Sequence, residues 1–156
     1  MGYTDDRVIE QPGKRHVKMT QEMTVRFEDS QIDRLGQLAR RSGRSISETA
    51  AMLVEEALRM SEHGSIVFRD SPVGRQAYVL GTRVAVWQVV PIVRSYGGDV
   101  QAAARHLEWP TARIQAALTY AAAYPDEIEA AIEDNARYDF GTVSRMLPQA
   151  RLFAGE

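Results

Sequence analysis

Gln21-Glu22-Met23-Thr24-Val25-Arg26-Phe27 alternates apolar Met23, Val25 and Phe27 with polar Glu22, Thr24 and Arg26. That two-residue period marks a strand with one buried face. No second strand follows nearby. Asp29 and Ser30 can cap a helix carrying Ile32, Leu35, Leu38 and Ala39 on one side, and Gly43 suits a left-handed position at its end. Ser45-Ile46-Ser47-Glu48 then reads as a capping box opening a second helix, which runs to about Ser61. Its Ile46, Ala50, Leu53, Val54, Ala57 and Leu58 form one apolar stripe. A lone strand and two helices cannot close a core, and the strand's backbone groups lack partners within the segment. Pairing the strand with its copy from a second chain meets both needs. Met23, Val25 and Phe27 would then cover four helices, and Glu22, Thr24 and Arg26 would face outward.

An outward-facing two-stranded ribbon fits the DNA major groove, where Arg26 can take guanine and Thr24 can reach a base edge or a thymine methyl. Glu22 could accept from cytosine or sit at the rim. The start of the second helix, with Arg44, Ser45 and Ser47, offers free N–H groups and partial positive charge to a phosphate. A plain dimerisation module whose outward polar residues meet only water would show the same pattern. Residues 20–61 resemble the ribbon-helix-helix regulators of the Arc/MetJ/CopG type. The resemblance is carried by the strand, the Arg41-Ser42-Gly43-Arg44-Ser45 turn and Ser47-Glu48…Leu53…Ala57-Leu58.

Beyond His63-Gly64-Ser65 the chain offers short strands near Ile66-Val67-Phe68, Tyr78-Val79-Leu80 and Val84-Ala85-Val86. Helical patterns follow from Trp87 to Tyr96, from an Asp99 cap through Leu107, from Pro110 to Ala123, and then to about Asn135. This is the layout of a small helix-turn-helix, winged-helix-like domain, and equally of a three-helix packing unit. On the first reading Arg105, Thr111, Arg113 and Gln115 are candidates for DNA contact. Leu80-Gly81-Thr82-Arg83-Val84-Ala85-Val86, Ala102-Ala103-Ala104, Ile114-Gln115-Ala116-Ala117-Leu118-Thr119-Tyr120-Ala121 and Ala122-Ala123-Tyr124-Pro125-Asp126-Glu127-Ile128 resemble the domain of unknown function 433. The whole arrangement is similar to antitoxins of the VapB type. That resemblance implies inhibition of a PIN-like ribonuclease toxin and autorepression of a type II toxin–antitoxin operon through operator DNA. A stand-alone ribbon-helix-helix repressor with no toxin is the alternative.

The expected organisation is mostly α with one N-terminal ribbon strand. A flexible arm (1–19) precedes a dimerisation and DNA-binding domain (20–62), a helix-turn-helix-like domain (66–135) and an extended or helical tail (136–156). The tail spaces Tyr138, Phe140, Leu147, Leu152 and Phe153 among polar residues, with Arg145 and Arg151 between them. That composition suits folding on a partner. Either arginine could enter the carboxylate cluster of a PIN-like nuclease as a bidentate donor. A last helix packing on its own domain or on its dimer mate is the other reading. The assembly expected is a homodimer that could associate further in the complex.

The chain has 156 residues, 44% hydrophobic and 26% charged, which excludes wholesale disorder. It contains no cysteine, so disulfides and thiolate chemistry are excluded. His16, His63 and His106 are scattered, and no serine stands in a nucleophile elbow. No metal, cofactor or catalytic site is expected. The polar start, with no apolar run long enough for a membrane span, leads to the expectation of a cytoplasmic protein. Net charge is −2, unevenly spread: residues 14–59 and 63–113 are mildly basic, whereas residues 124–139 hold six acids and one arginine. That acidic block could meet a different partner, or be a solvated helix face.

Overall fold

The computed structural model describes residues 23–137, which form six helices and one antiparallel hairpin. Their order is α1 (Asp29–Ser42), α2 (Ile46–Glu62), β1 (Ile66–Ser71), β2 (Gly74–Val79), α3 (Val86–Ser95), α4 (Val100–Leu107), α5 (Thr111–Ala123) and α6 (Pro125–Arg137). The mostly helical expectation therefore holds. The ribbon strand does not appear: residues 23–28 have no regular structure. A strand is defined by its ladder, and among the described residues no second strand lies beside this segment. The proposed arm, Glu22 and the tail from Tyr138 onward lie outside the described residues.

Local signals place most boundaries well. Gly43 adopts φ +65°, and the Arg44 N–H reaches back to the Ala39 carbonyl at 3.0 Å. Asp99 caps α4 by accepting from the N–H groups of Gln101 and Ala102 at 2.9 and 3.0 Å. At α1 the cap falls one residue earlier than Asp29. Glu28 takes that place, its N–H donating to Gln31 Oε1 at 2.9 Å. Residues 84–86 are likewise not a strand. Ala85 makes a single bridge to Tyr78, and Val86 already belongs to α3.

The hairpin pairs Ile66 with Val79 and Phe68 with Ala77, putting all four on one face. Its tight turn is tied by Ser71 Oγ, which donates to the Gly74 carbonyl at 2.7 Å. That face meets α3 through Val86, Val89, Val90 and Val93, and the core continues through Ala103 and Ala104 to Ile114, Ala117, Tyr120 and Ile128. Trp87 and Trp109 pack half-buried at the edge of this core. Helix α5 runs through the middle, touching α3, α4, α6 and both strands.

Helix α2 joins this core by charge rather than by grease. Glu56, 8% exposed, meets Arg75 of β2 fork to fork, Oε1 to Nε at 2.6 Å and Oε2 to Nη2 at 2.7 Å. Asp70 adds a contact to the same guanidinium at 3.2 Å. Breaking a buried pair from one side strands the remaining charge. Arg75→Met is therefore expected to remove about 2 kcal/mol of unfolding stability, discounted for partial exposure of the arginine. A lowered urea midpoint at unchanged slope would register it. An unshifted midpoint would show that the fork holds nothing.

Candidate nucleic-acid interface and the junction behind it

Thr24 and Arg26 both stand in solvent, and so do Met23 (79% exposed), Val25 and Phe27 between them. In the single chain nothing separates the two sides of this segment. The capping box opening α2 is complete: Ser45 Oγ accepts from the Glu48 N–H at 3.2 Å, and Glu48 Oε2 accepts from the Ser45 N–H at 2.9 Å. The Ser45 backbone bond, then its hydroxyl, holds the Glu48 carboxyl below the usual carboxylate range. The box thus occupies the donors of Ser45 and Glu48 and sets a negative charge at the helix start. Arg44, Ser45 and Ser47 are exposed beside it, and the Arg44 guanidinium rests against Met52 Sδ.

Most of the α2 stripe that the sequence marks for burial points outward, with Ala50 and Leu53 half-buried. Val54 is 55% and Leu58 54% exposed, with Ile46 and Ala57 also open to solvent. On α1, Ile32 is exposed too. Phe27, Leu35, Leu38 and Leu53 line an open groove of about 270 Å³ across the same surface. The inward side of α2 is instead the polar one, carrying Glu56 and Arg59. For this chain's own fold the helix is inside out.

Arg59 organises the junction between α2 and the second half. It donates from Nε to Glu55 Oε1 at 2.7 Å, and from Nη1 to Glu127 Oε2 at 2.5 Å and to the Tyr120 hydroxyl at 3.0 Å. Its guanidinium lies 3.9 Å from the Tyr124 ring centroid. Tyr120 in turn donates to Glu127 Oε1 at 3.0 Å, and His63 stacks edge-on against its ring at 5.3 Å. Desolvation opposes the charge on Arg59, but its bonds to Glu55, Glu127 and Tyr120 outweigh that and hold the guanidinium more firmly protonated than usual. Every side chain here has its partner. The cluster is built to hold two segments together.

The second-half candidates spread over two helices. Arg105 on α4 and Gln115 on α5 are exposed, and Thr111 Oγ1 donates to Gln101 Oε1 at 3.1 Å. Arg113 is half-buried, its guanidinium 5.5 Å from the Trp109 ring. The solvent side of α5 is Ala112, Gln115, Thr119 and Ala122, without a lysine or arginine. The tail candidates Tyr138, Phe140, Arg145, Leu147, Arg151, Leu152 and Phe153 lie outside the described residues. Among the described residues, no three of His, Cys, Asp and Glu gather as a metal ligand set, and no helix is long and apolar enough to cross a membrane.

Sequence reasoning missed Glu56, Arg59, Tyr120 and Glu127. A faint signal exists, since Met52, Glu56 and Arg59 recur at helical spacing opposite the apolar stripe. Comparison of the chain with protein-family models, with curated proteins and with solved structures finds no match.

Burial first, with smaller contributions from Glu127, pushes the Tyr120 phenol above its ordinary value of 10. The folded state therefore prefers the protonated phenol. This stabilisation is fully present below pH 10 and drains away as pH climbs through the folded value. Unfolding free energy measured from pH 7 to 11 is expected to fall above pH 10 more steeply than in Tyr120→Phe, by up to about 1.4 kcal/mol per pH unit. Parallel curves for the two proteins would remove Tyr120 as the cause.

Proposed function

We propose that the protein is a dimeric, DNA-binding antitoxin of a type II toxin–antitoxin pair. In this reading it represses its own operon through a ribbon-helix-helix domain and inhibits a PIN-like ribonuclease through its C-terminal region. The observation that carries the dimer is the outward apolar surface of α1 and α2, joined to exposed Met23, Val25 and Phe27. A second copy covers it, gives the lone strand its ladder, and turns Thr24 and Arg26 to the far side. Val54 and Leu58 sit where α2 would meet its symmetry mate. Val54→Lys with Leu58→Lys is accordingly expected to yield monomer in analytical ultracentrifugation at micromolar protein. A dimer that persists would move the interface elsewhere.

DNA reading falls to the first half. Arg26 and Thr24 are base-reading types on the outer ribbon face, and exposed Arg44 and Ser47 flank them as phosphate-facing groups beside the Glu48 carboxylate. The turn of residues 108–110 and α5 follow the helix-turn-helix layout, but the uncharged outer face of α5 offers little to a polyanion. Arg26→Ala is expected to weaken binding to DNA from upstream of its own gene by at least about tenfold, with the dimer intact. For the parent protein, log K should fall with log salt by about 0.9 for each phosphate contacted. Unchanged affinity in Arg26→Ala would reduce the module to dimerisation alone.

The toxin half of the proposal draws on the likeness to VapB-type antitoxins and on the spaced apolar and arginine residues of the tail. Capture of the adjacent gene's product by the full chain, with loss of its ribonuclease activity, is the expected result. Failure of capture would leave the stand-alone repressor as the better description.

A further inference from the structure

A groove of about 660 Å³ opens between the hairpin and α6, with Trp87 of α3 in its lining. Val73, Ala77, Trp87, Ile128 and Ala131 give it an apolar lining, and Arg75, Glu127 and Asp134 are its charged residues. It has the size of a site that buries a peptide or small-molecule surface. Two facts on its margins point to the occupant. Helix α6 carries five carboxylates against one arginine; the two that line the groove are paired, Glu127 with Arg59 and Asp134 with Arg137, and the helix as a whole stays net negative, which favours a basic segment. Arg137, the last described residue, stands one turn past Asp134, so the nineteen residues that follow it start beside the groove.

We propose that this groove is the docking surface for the chain's own residues 138–156. The segment supplies what the groove asks for: apolar Phe140, Leu147, Leu152 and Phe153 with Arg145 and Arg151 between them, and a single Glu156 after Gly141. It is also long enough. From Glu127 to Asp134 the groove runs about 10 Å along α6. About four extended residues cover that distance, leaving ample chain to reverse direction near Gly141. Anchors seated here are shielded from water and from one another. They are also withheld from any other protein, so the tail has a place to rest when no partner holds it. This inference concerns the unpartnered chain, and it stands or falls apart from DNA binding and toxin inhibition.

Because the chain has no native cysteine, the contact can be read by disulfide trapping in the full-length protein. Ala131→Cys is combined with Leu147→Cys or Leu152→Cys, and Ala112→Cys, on the solvent side of α5, replaces Ala131→Cys as the reference. Docking raises the local concentration of the tail thiol at the groove. Under mild oxidation the Ala131→Cys pairs should close within one chain at least about tenfold faster than the Ala112→Cys pairs. Equal rates would overturn the proposal, as would disulfides formed mainly between chains, which would hand the groove to the dimer mate. As a second readout, Trp109→Phe leaves Trp87 as the sole indole. Adding Leu147→Ser and Leu152→Ser should shift its emission to the red, and an unmoved spectrum would count against docking.

Discussion

The Glu56–Arg75 fork and the Arg59 cluster fix which way round α2 sits, and the remainder of the molecule follows from that. A carboxylate held 8% exposed needs its guanidinium, because an uncompensated charge at that depth costs several kcal/mol. Rolling α2 to bury Val54 and Leu58 would break the fork and pull Arg59 away from Glu127, Tyr120 and Tyr124. The helix is thereby locked with its polar side toward the hairpin, α5 and α6. Among the described residues its apolar side is left facing out.

That constraint links the two halves to function. The second half closes its core around Val79, Val86, Val89, Ile114, Ala117 and Tyr120, all essentially inaccessible. The first half buries little beyond Gly36, Ala39, Thr49 and Glu56. It is a surface presented by a stable base. In the proposed dimer, a second copy on that surface would supply core and ladder together, and so would join dimerisation to the forming of a DNA-reading face. Charge sorts the partners: the arginines at the α1–α2 turn suit a polyanion, whereas the carboxylates of α6 repel one and favour a basic segment.

The junction also sets how the halves work as one body. Glu127 opens α6, accepts from Arg59 of α2 and from Tyr120 of α5, and lies at the rim of the groove against the hairpin. One side chain therefore touches the support of the proposed dimer surface and the proposed docking site of the tail. The Arg94–Glu129 pair between α3 and α6 is more exposed and is worth correspondingly less. The orientation of α6 rests chiefly on Ile128 in the core and on the Arg59 cluster at its start.

Much of this was legible in the chain. Gly43, the Ser45–Glu48 box, the Asp99 cap and the periodicities of α3 to α5 are local, because each is decided by residues within one helical turn. The alternation over residues 21–27 was equally plain, yet its described part, residues 23–27, shows no strand, since a ladder is a property of two segments. The groove and the docking face likewise depend on elements far apart in sequence. Hydrophobic periodicity by itself determined that α2 has an apolar and a polar face. Only the tertiary structure decided that the polar face is the inner one, because Arg75 and Glu127, 19 and 68 residues from their partners, wait there to neutralise it.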